Sequence, residues 1–384
     1  MRAAKQLTKH DPKHLDSIES LRGVAALMVL LYHLAELVKI PLPGSLGFIS
    51  THFGLGVPLF YTLSGFVLAY GYADRLEGRA QIWRFYIRRL FRIAPLFYAM
   101  LTLWLLANWV VWNRAFSLQT LFLNMSFVFG LVPGQHESIV WGGWSIGIEM
   151  IFYLVFPVIA ILVPNVRTAL AGFVVACILS SAVFGALSAA GLGSYAYMNL
   201  GTHLPFFMGG ILAFRIWQTM RLARLPSLGW GLLMASLLLA LTVAGSDRLY
   251  AMLSKIDFER GVWAIVFGML LLSACYVRNP VLESSPLRNL GKLSFSLYLL
   301  HPMIFVGLIK LDFPNYVAQL THTAMANFLI ASVISIGLVW MCSTLSFRFV
   351  ESPGIEFGKR LAQQYADQPR RQGWAESSAK GNRC

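Results

Sequence analysis

The chain has 384 residues, of which 57% are hydrophobic and only 12% charged. A soluble globular chain carries about 25% charged residues, so this composition excludes a domain folded wholly in water. The net charge of +14 would suit a nucleic-acid partner, yet no aromatic-and-basic RNA signature, zinc spacing or basic helix accompanies it, and membrane topology accounts for the excess better.

Helices of about 17–25 apolar residues can cross a bilayer. Such stretches recur near 20–38, 52–72, 92–112, 144–163, 168–188, 199–214, 228–245, 260–277, 293–310 and 324–347. The expected fold class is all-α, a polytopic integral membrane protein of about ten transmembrane helices. A tail at 1–19 precedes a membrane-embedded domain at 20–352, and a polar tail at 353–384 follows it. The end of that second tail, rich in Gln, Arg, Ser and Gly, is expected to be mobile and to carry no catalysis.

The segment 116–132 is apolar but short and precedes Pro133-Gly134, so it is expected to be re-entrant, dipping into the outer leaflet without crossing. Both termini then lie in the cytoplasm. Only Lys39, Arg114, Arg248, Lys255, Arg260 and Lys310 of the 31 Lys and Arg residues fall outside, as the positive-inside rule requires. A full crossing at 116–132 would instead put Arg215, Arg221 and Arg224 outside. The first apolar run has no small-x-small cleavage site directly after it and is read as a retained helix. Cys177, Cys275, Cys342 and Cys384 are widely spaced and suggest neither a disulfide framework nor a metal site.

An ionisable side chain at the bilayer centre costs about 2.5–3.5 kcal/mol on insertion scales, so each one needs a partner or a function. Arg22 and His33 lie eleven positions apart on one face of the first helix, about 16 Å along its axis. They fit either a ligand reaching in from the cytosol or an anchor plus a hydrogen-bonded core histidine. Arg84, Arg88, Arg89 and Arg92 open the third helix, with Arg89 and Arg92 on one face. Paired guanidinium forks grip phosphate, as on coenzyme A, or equally lipid headgroups. Glu149, about 8 Å inside the fourth helix, fits a functional carboxylate or a structural partner for arginine. Ser294, Ser296, Tyr298 and His301 fit helix packing or support of a site, and Thr62, Ser64 and Gly65 fit close helix approach.

Taken in order, these segments resemble the acyltransferase-3 family of membrane O-acyltransferases. The resemblance rests on Leu15 to Ala26 with the Arg22 and His33 pair, Gly56-Val57 followed by Phe60 to Phe66, Arg89-Leu90-Phe91-Arg92 with Pro95, Trp144-Ser145 to Glu149, and Ser294 to Pro302. Two departures stand out. Val57 is followed by Pro58, where members often carry an acidic residue, and the chain ends soon after Pro353, where many members carry an extracytoplasmic esterase-like domain. The expectation is a protein that works alone or with a separate extracytoplasmic partner.

The resemblance implies transfer of an acyl group, often acetyl, from acyl-CoA as donor substrate to a hydroxyl of a glycan, lipid-linked or small-molecule acceptor, in the cytoplasmic (inner) membrane and with no permanently bound cofactor or metal. Surface polysaccharide, lipooligosaccharide, peptidoglycan and secondary metabolites all fit as acceptors. Arg89 and Arg92, with Arg88 and Arg22, would hold the donor phosphates. His33 would act as general base, and Glu149 would orient it or position the acceptor. An acyl-enzyme on His33 or Ser64 is the other route. The competing class is a polytopic transporter or flippase lined by the same residues, although no repeat relates 1–190 to 191–384.

Overall fold

Apolar runs in lipid must satisfy their backbone amides internally, and the helix is the local solution. The computed structural model describes residues 13–76, 78–220, 226–255, 258–277 and 279–367. In chain order its helices are α1 (Lys13–Glu36), α2 (Phe48–His52), α3 (Gly56–Tyr72), α4 (Arg79–Trp112), α5 (Leu118–Met125), α6 (Trp144–Leu162), α7 (Val166–Ala189), α8 (Gly193–Tyr197) and α9 (Leu200–Met220). There follow α10 (Pro226–Gly245), α11 (Asp247–Lys255), α12 (Glu259–Tyr276), α13 (Ser285–Lys292), α14 (Ser294–Lys310), α15 (Phe313–Ala318), α16 (Ala324–Ser346) and α17 (Ser352–Asp367). No strand occurs among the described residues.

Eight helical segments among the described residues are long and apolar enough to span a membrane, or nine when α13 and α14, bent by 70° at their junction, count as one. The remaining expected span, 199–214, is α9. It carries His203, Pro205, Arg215 and Gln218 in its length and falls outside that apolar set. Its polar groups face protein: Arg215, 2% exposed, donates from Nε to the Val163 carbonyl at 3.0 Å and from Nη1 to Asp74 at 2.8 Å. Arg215 therefore lies within α9 and ties it to the ends of α3 and α6. Arg221, Arg224 and Arg278 are not among the described residues.

The segment 116–132 forms only the eight-residue helix α5 and a short 3-10 turn at Phe129–Leu131. Eight residues rise about 12 Å, well short of a bilayer core of about 30 Å. It does not cross. Asn124, fully buried, accepts from Ser138 Oγ at 2.7 Å and the Ile139 amide at 3.0 Å, which folds 118–143 into a cap beside the ends of α4 and α6.

Two apolar cores meet along α1. Ile18, Leu21, Ala25 and Val29 face the larger, built with α3, α4, α6, α9 and α12. Ala26, Leu30 and Leu34 face the smaller, built with α14 and α16. Arg22 and His33 therefore lie on a helix enclosed from two sides. Next to it, α3 and α9 approach backbone to backbone. A Cβ on Gly65 would stand 2.1 Å from the Phe207 carbonyl oxygen, and one on Gly210 2.0 Å from that of Thr62, the packing role expected of Gly65.

The sequence places a polar tail from 353 onward. In the structure α16 continues through a π-helical turn, Phe347–Glu351, into α17, which packs along α4. Gly354 lies against the Pro95 ring and Gly358 against the Phe91 Cβ, so close that a Cβ at either would overlap its neighbour. The expected mobile end, 368–384, lies outside the described residues, as do residues 1–12 of the N-terminal tail.

Candidate active site

Glycine and proline punctuation sets where the polar residues of each helix begin. In α3, Pro58 occupies the first turn, where its missing amide costs no helical bond, and Thr62 bonds back to its carbonyl at 3.1 Å. Two residues further, Ser64 Oγ donates to Glu149 Oε1 of α6 at 2.8 Å, and Tyr153 OH donates to the same oxygen at 2.5 Å. Two hydroxyl donors on one carboxylate oxygen make a charge-assisted network. The Arg89 guanidinium lies over the rings of Tyr72 and Tyr153, at 5.2 and 5.9 Å from their centroids, and its Nη2 donates to Tyr72 OH at 3.3 Å. Its buried Nε has no hydrogen-bond partner.

Arg92, one turn along α4, faces Glu351 at 3.6 Å. Glu351 also accepts from Ser296 Oγ of α14, and Arg22 bonds Ser294 Oγ, two residues earlier on that helix, at 3.3 Å. Arg22, Arg89 and Arg92 thus gather at one end of the bundle. Arg88 is exposed and lines neither of the two cavities described next.

A narrow cavity of about 40 Å³ runs between Arg22 and Ser294 at one end and Ser64, Glu149 and Tyr298 deeper in. A larger cavity of about 630 Å³ opens on the opposite side of the bundle, with His33 in its wall. Val57 and Tyr298 line both. Tyr298 accepts from Ser145 Oγ at 2.7 Å and donates to the Gly142 carbonyl at 3.1 Å, which fixes its ring between the two spaces. Trp104, Trp141 and Trp144 with Asn108, Gln135 and Glu137 furnish aromatic faces and hydrogen-bonding groups in the larger one.

His33 is half-buried, packed edge-on against Tyr32 and Trp141, with ring centroids 5.0 Å away in each case. Its Nδ1 lies 3.0 Å from Nε2 of His301. The expectation that Glu149 orients His33 is not met. Glu149 bonds Ser64 and Tyr153 and lines the narrow cavity, while the partner of His33 is His301. Sequence reading therefore identified most polar groups but not Glu351, Tyr153 or Tyr72. The signal for Glu351 was a lone carboxylate one turn past a long apolar run.

These features combine half-buried arginines, a bonded carboxylate and a histidine lining a cavity, and residues 15–344 match the acyltransferase domain of the acyltransferase-3 family. The chain belongs to this family. As an acyltransferase of this kind it is similar to a provisionally named acetyltransferase, ORF330, of Acidianus two-tailed virus, at 27% identity over 76% of this chain and 82% of that protein. It is also similar to BcsY of Komagataeibacter xylinus, provisionally named a membrane-bound transacylase, at 28% identity over 89% and 83%. Peptidoglycan O-acetyltransferase OatA of Listeria monocytogenes is 24% identical over 91% of this chain but 57% of its own length, so the acyltransferase spans little more than half of that relative. No solved structure matches the chain.

Proposed function

We propose that this acyltransferase moves an acyl group, acetyl in the first instance, from acyl-CoA to a hydroxyl of a glycan or glycolipid, in a cytoplasmic membrane with both termini on the cytoplasmic side. The observation that carries the reading is the meeting of two cavities at Val57 and Tyr298, one with Arg22 in its lining and the other with His33.

In this reading Arg89, Arg92 and Arg22 hold donor phosphates through paired donors. Arg88, exposed at the same end, adds long-range attraction. The acyl arm passes Ser64 and Glu149 toward Tyr298. The narrow cavity accommodates water-sized groups and not a thioester arm, so side chains around Tyr298 rotate as the donor enters. The acceptor occupies the larger cavity, where tryptophan faces suit the apolar faces of sugar rings and the amides suit their hydroxyls.

His33 takes the proton of the acceptor hydroxyl while its oxygen bonds to the thioester carbonyl carbon. The tetrahedral intermediate collapses with loss of the C–S bond, and the departing thiolate takes the proton from His33. The Ser145 and Tyr298 hydroxyls, which bond each other and the Gly142 carbonyl, would have to turn from those partners to donate to the oxyanion.

The test is transfer of radiolabel from acetyl-CoA to glycans and lipids in membranes holding wild type, His33→Ala or Arg89→Ala at matched protein levels. Label with wild type alone supports the proposal and yields the acceptor. Label unaffected by both substitutions removes these residues from the mechanism, and no label on any acceptor, with a solute still crossing, favours transport.

A further inference from the structure

His301 is 1% exposed on α14, and its ring is fixed at both nitrogens. Nδ1 lies 3.2 Å from the carbonyl oxygen of Leu297, one turn earlier. A carbonyl has no proton to give, so Nδ1 carries the hydrogen. In a neutral imidazole the other nitrogen is then an acceptor. Nε2 of His301 therefore offers a lone pair to Nδ1 of His33 at 3.0 Å, and two bare nitrogens at that distance would repel. The alternative, a doubly protonated His301, would place a cation beside Tyr298, Phe305 and His33, with no carboxylate bonded to it and at high desolvation cost.

We infer that His301 is a positioning residue that fixes His33 as the Nδ1–H tautomer and so leaves the Nε2 lone pair of His33 facing the larger cavity. His33 lines that cavity, as a proton acceptor for a substrate hydroxyl has to. The chain of donors runs from His33 Nδ1 to His301 Nε2 and from His301 Nδ1 to Leu297. It does for His33 what a buried carboxylate does in a hydrolytic triad, holding both ring and tautomer. It uses a neutral acceptor, which adds no charge to the membrane interior. When His33 receives the acceptor's proton at Nε2, its Nδ1–H bond to His301 persists and strengthens as a charge-assisted bond.

The inference rests on the proposed role of His33 as base. Its test is nitrogen-15 NMR of histidine-labelled protein in detergent, with His33 assigned by His33→Ala, together with steady-state transfer by His301→Leu and His301→Gln. The expected spectrum shows His33 protonated at Nδ1 in wild type and a tautomer mixture in His301→Leu. The expected kinetics show kcat falling about 10²–10⁴-fold in His301→Leu, the range for loss of general base function or tautomer control. KM should be unchanged, and His301→Gln, whose amide oxygen can accept at the Nε2 position, should recover at least tenfold. A wild-type spectrum with His33 protonated at Nε2 overturns the inference even if a variant fails to fold, as does a folded His301→Leu enzyme with wild-type kcat. Full activity of His33→Ala would instead show that the reading of His33 as base has failed.

Discussion

Arg92 Nη1 lies 3.6 Å from Oε2 of Glu351, whose side chain is wholly enclosed while that of Arg92 is 23% exposed. Removing one member of a buried ion pair costs about 3–5 kcal/mol because the other is left without compensation. The enclosed partner suffers more when stranded. Arg92→Ala should therefore lower thermal stability in detergent by about 3 kcal/mol or more, Glu351→Gln by less, and Arg92→Ala with Glu351→Gln together by less than the sum. Additive effects across this double-mutant cycle would mean that the two charges do not communicate.

The contact between α3 and α9 leaves no volume for a methyl group at Gly65 or Gly210. Because both obstacles are backbone carbonyls, neither helix can yield by rotating a side chain. Gly65→Ala should cost about 3 kcal/mol, the upper part of the overpacking range, and should shift Ser64 relative to Glu149. Melting temperature and transfer rate should fall together, whereas Gly231→Ala, with open space around it, should leave both unchanged.

If Tyr298 separates the donor and acceptor spaces, its loss should admit water from the larger cavity to the thioester. Tyr298→Ala should raise acceptor-independent release of CoA from acetyl-CoA severalfold while transfer falls. Tyr298→Phe, which keeps the ring and loses the bond to the Gly142 carbonyl, should show a smaller rise. Thiol release measured without acceptor decides the matter, and release unchanged in Tyr298→Ala would count against a partition at this residue.

His136, 4% exposed in the cap over the larger cavity, accepts from the Gly134 amide at 3.1 Å through Nδ1 and bonds Ser194 Oγ at 2.9 Å through Nε2. Burial holds this imidazole below its ordinary value, against the opposing charge of Glu137. A depressed value means that the folded cap prefers the neutral ring. The stabilising contribution is complete above about pH 6.5, the unfolded value, and is lost as pH falls through the lower folded value. Protection factors in residues 126–143, taken relative to the intrinsic exchange rate at each pH, should therefore fall as pH drops below about 6.5 in wild type. In His136→Asn, whose amide oxygen can still accept from Gly134, that pH dependence should disappear.

Charge in an apolar run is conspicuous, which is why Arg22, His33, Arg89, Arg92 and Glu149 could be found without coordinates. Their partners could not. His33 and His301 are 268 positions apart, and spacing within one helix says nothing about which face of another helix it will meet. Glu351 was hidden differently. It stands beside Ser352-Pro353, and the glycines that let α17 lie on α4 also make that helix resemble a loose tail. The tryptophans and amides of the larger cavity come from α4, the 126–143 cap and the start of α6, so no single stretch of sequence displays a sugar-binding pattern. In α9 the polar residues weakened the apolar signal, and the partners of Arg215, Asp74 and the Val163 carbonyl, are distant in sequence.

At 34 residues, α4 is about 51 Å long by helical rise, against about 30 Å for a hydrocarbon core. With its Trp112 end at the far boundary, the near boundary falls close to Arg92, and the preceding turns, with Arg88 and Arg84, project among the headgroups. Bilayer thickness then sets the depth of the guanidinium groups. Reconstituted in lipids of increasing chain length, the enzyme would find Arg89 and then Arg88 drawn toward hydrocarbon, and tilting α4 to relieve the mismatch would also move α17 and Glu351, which ride on it.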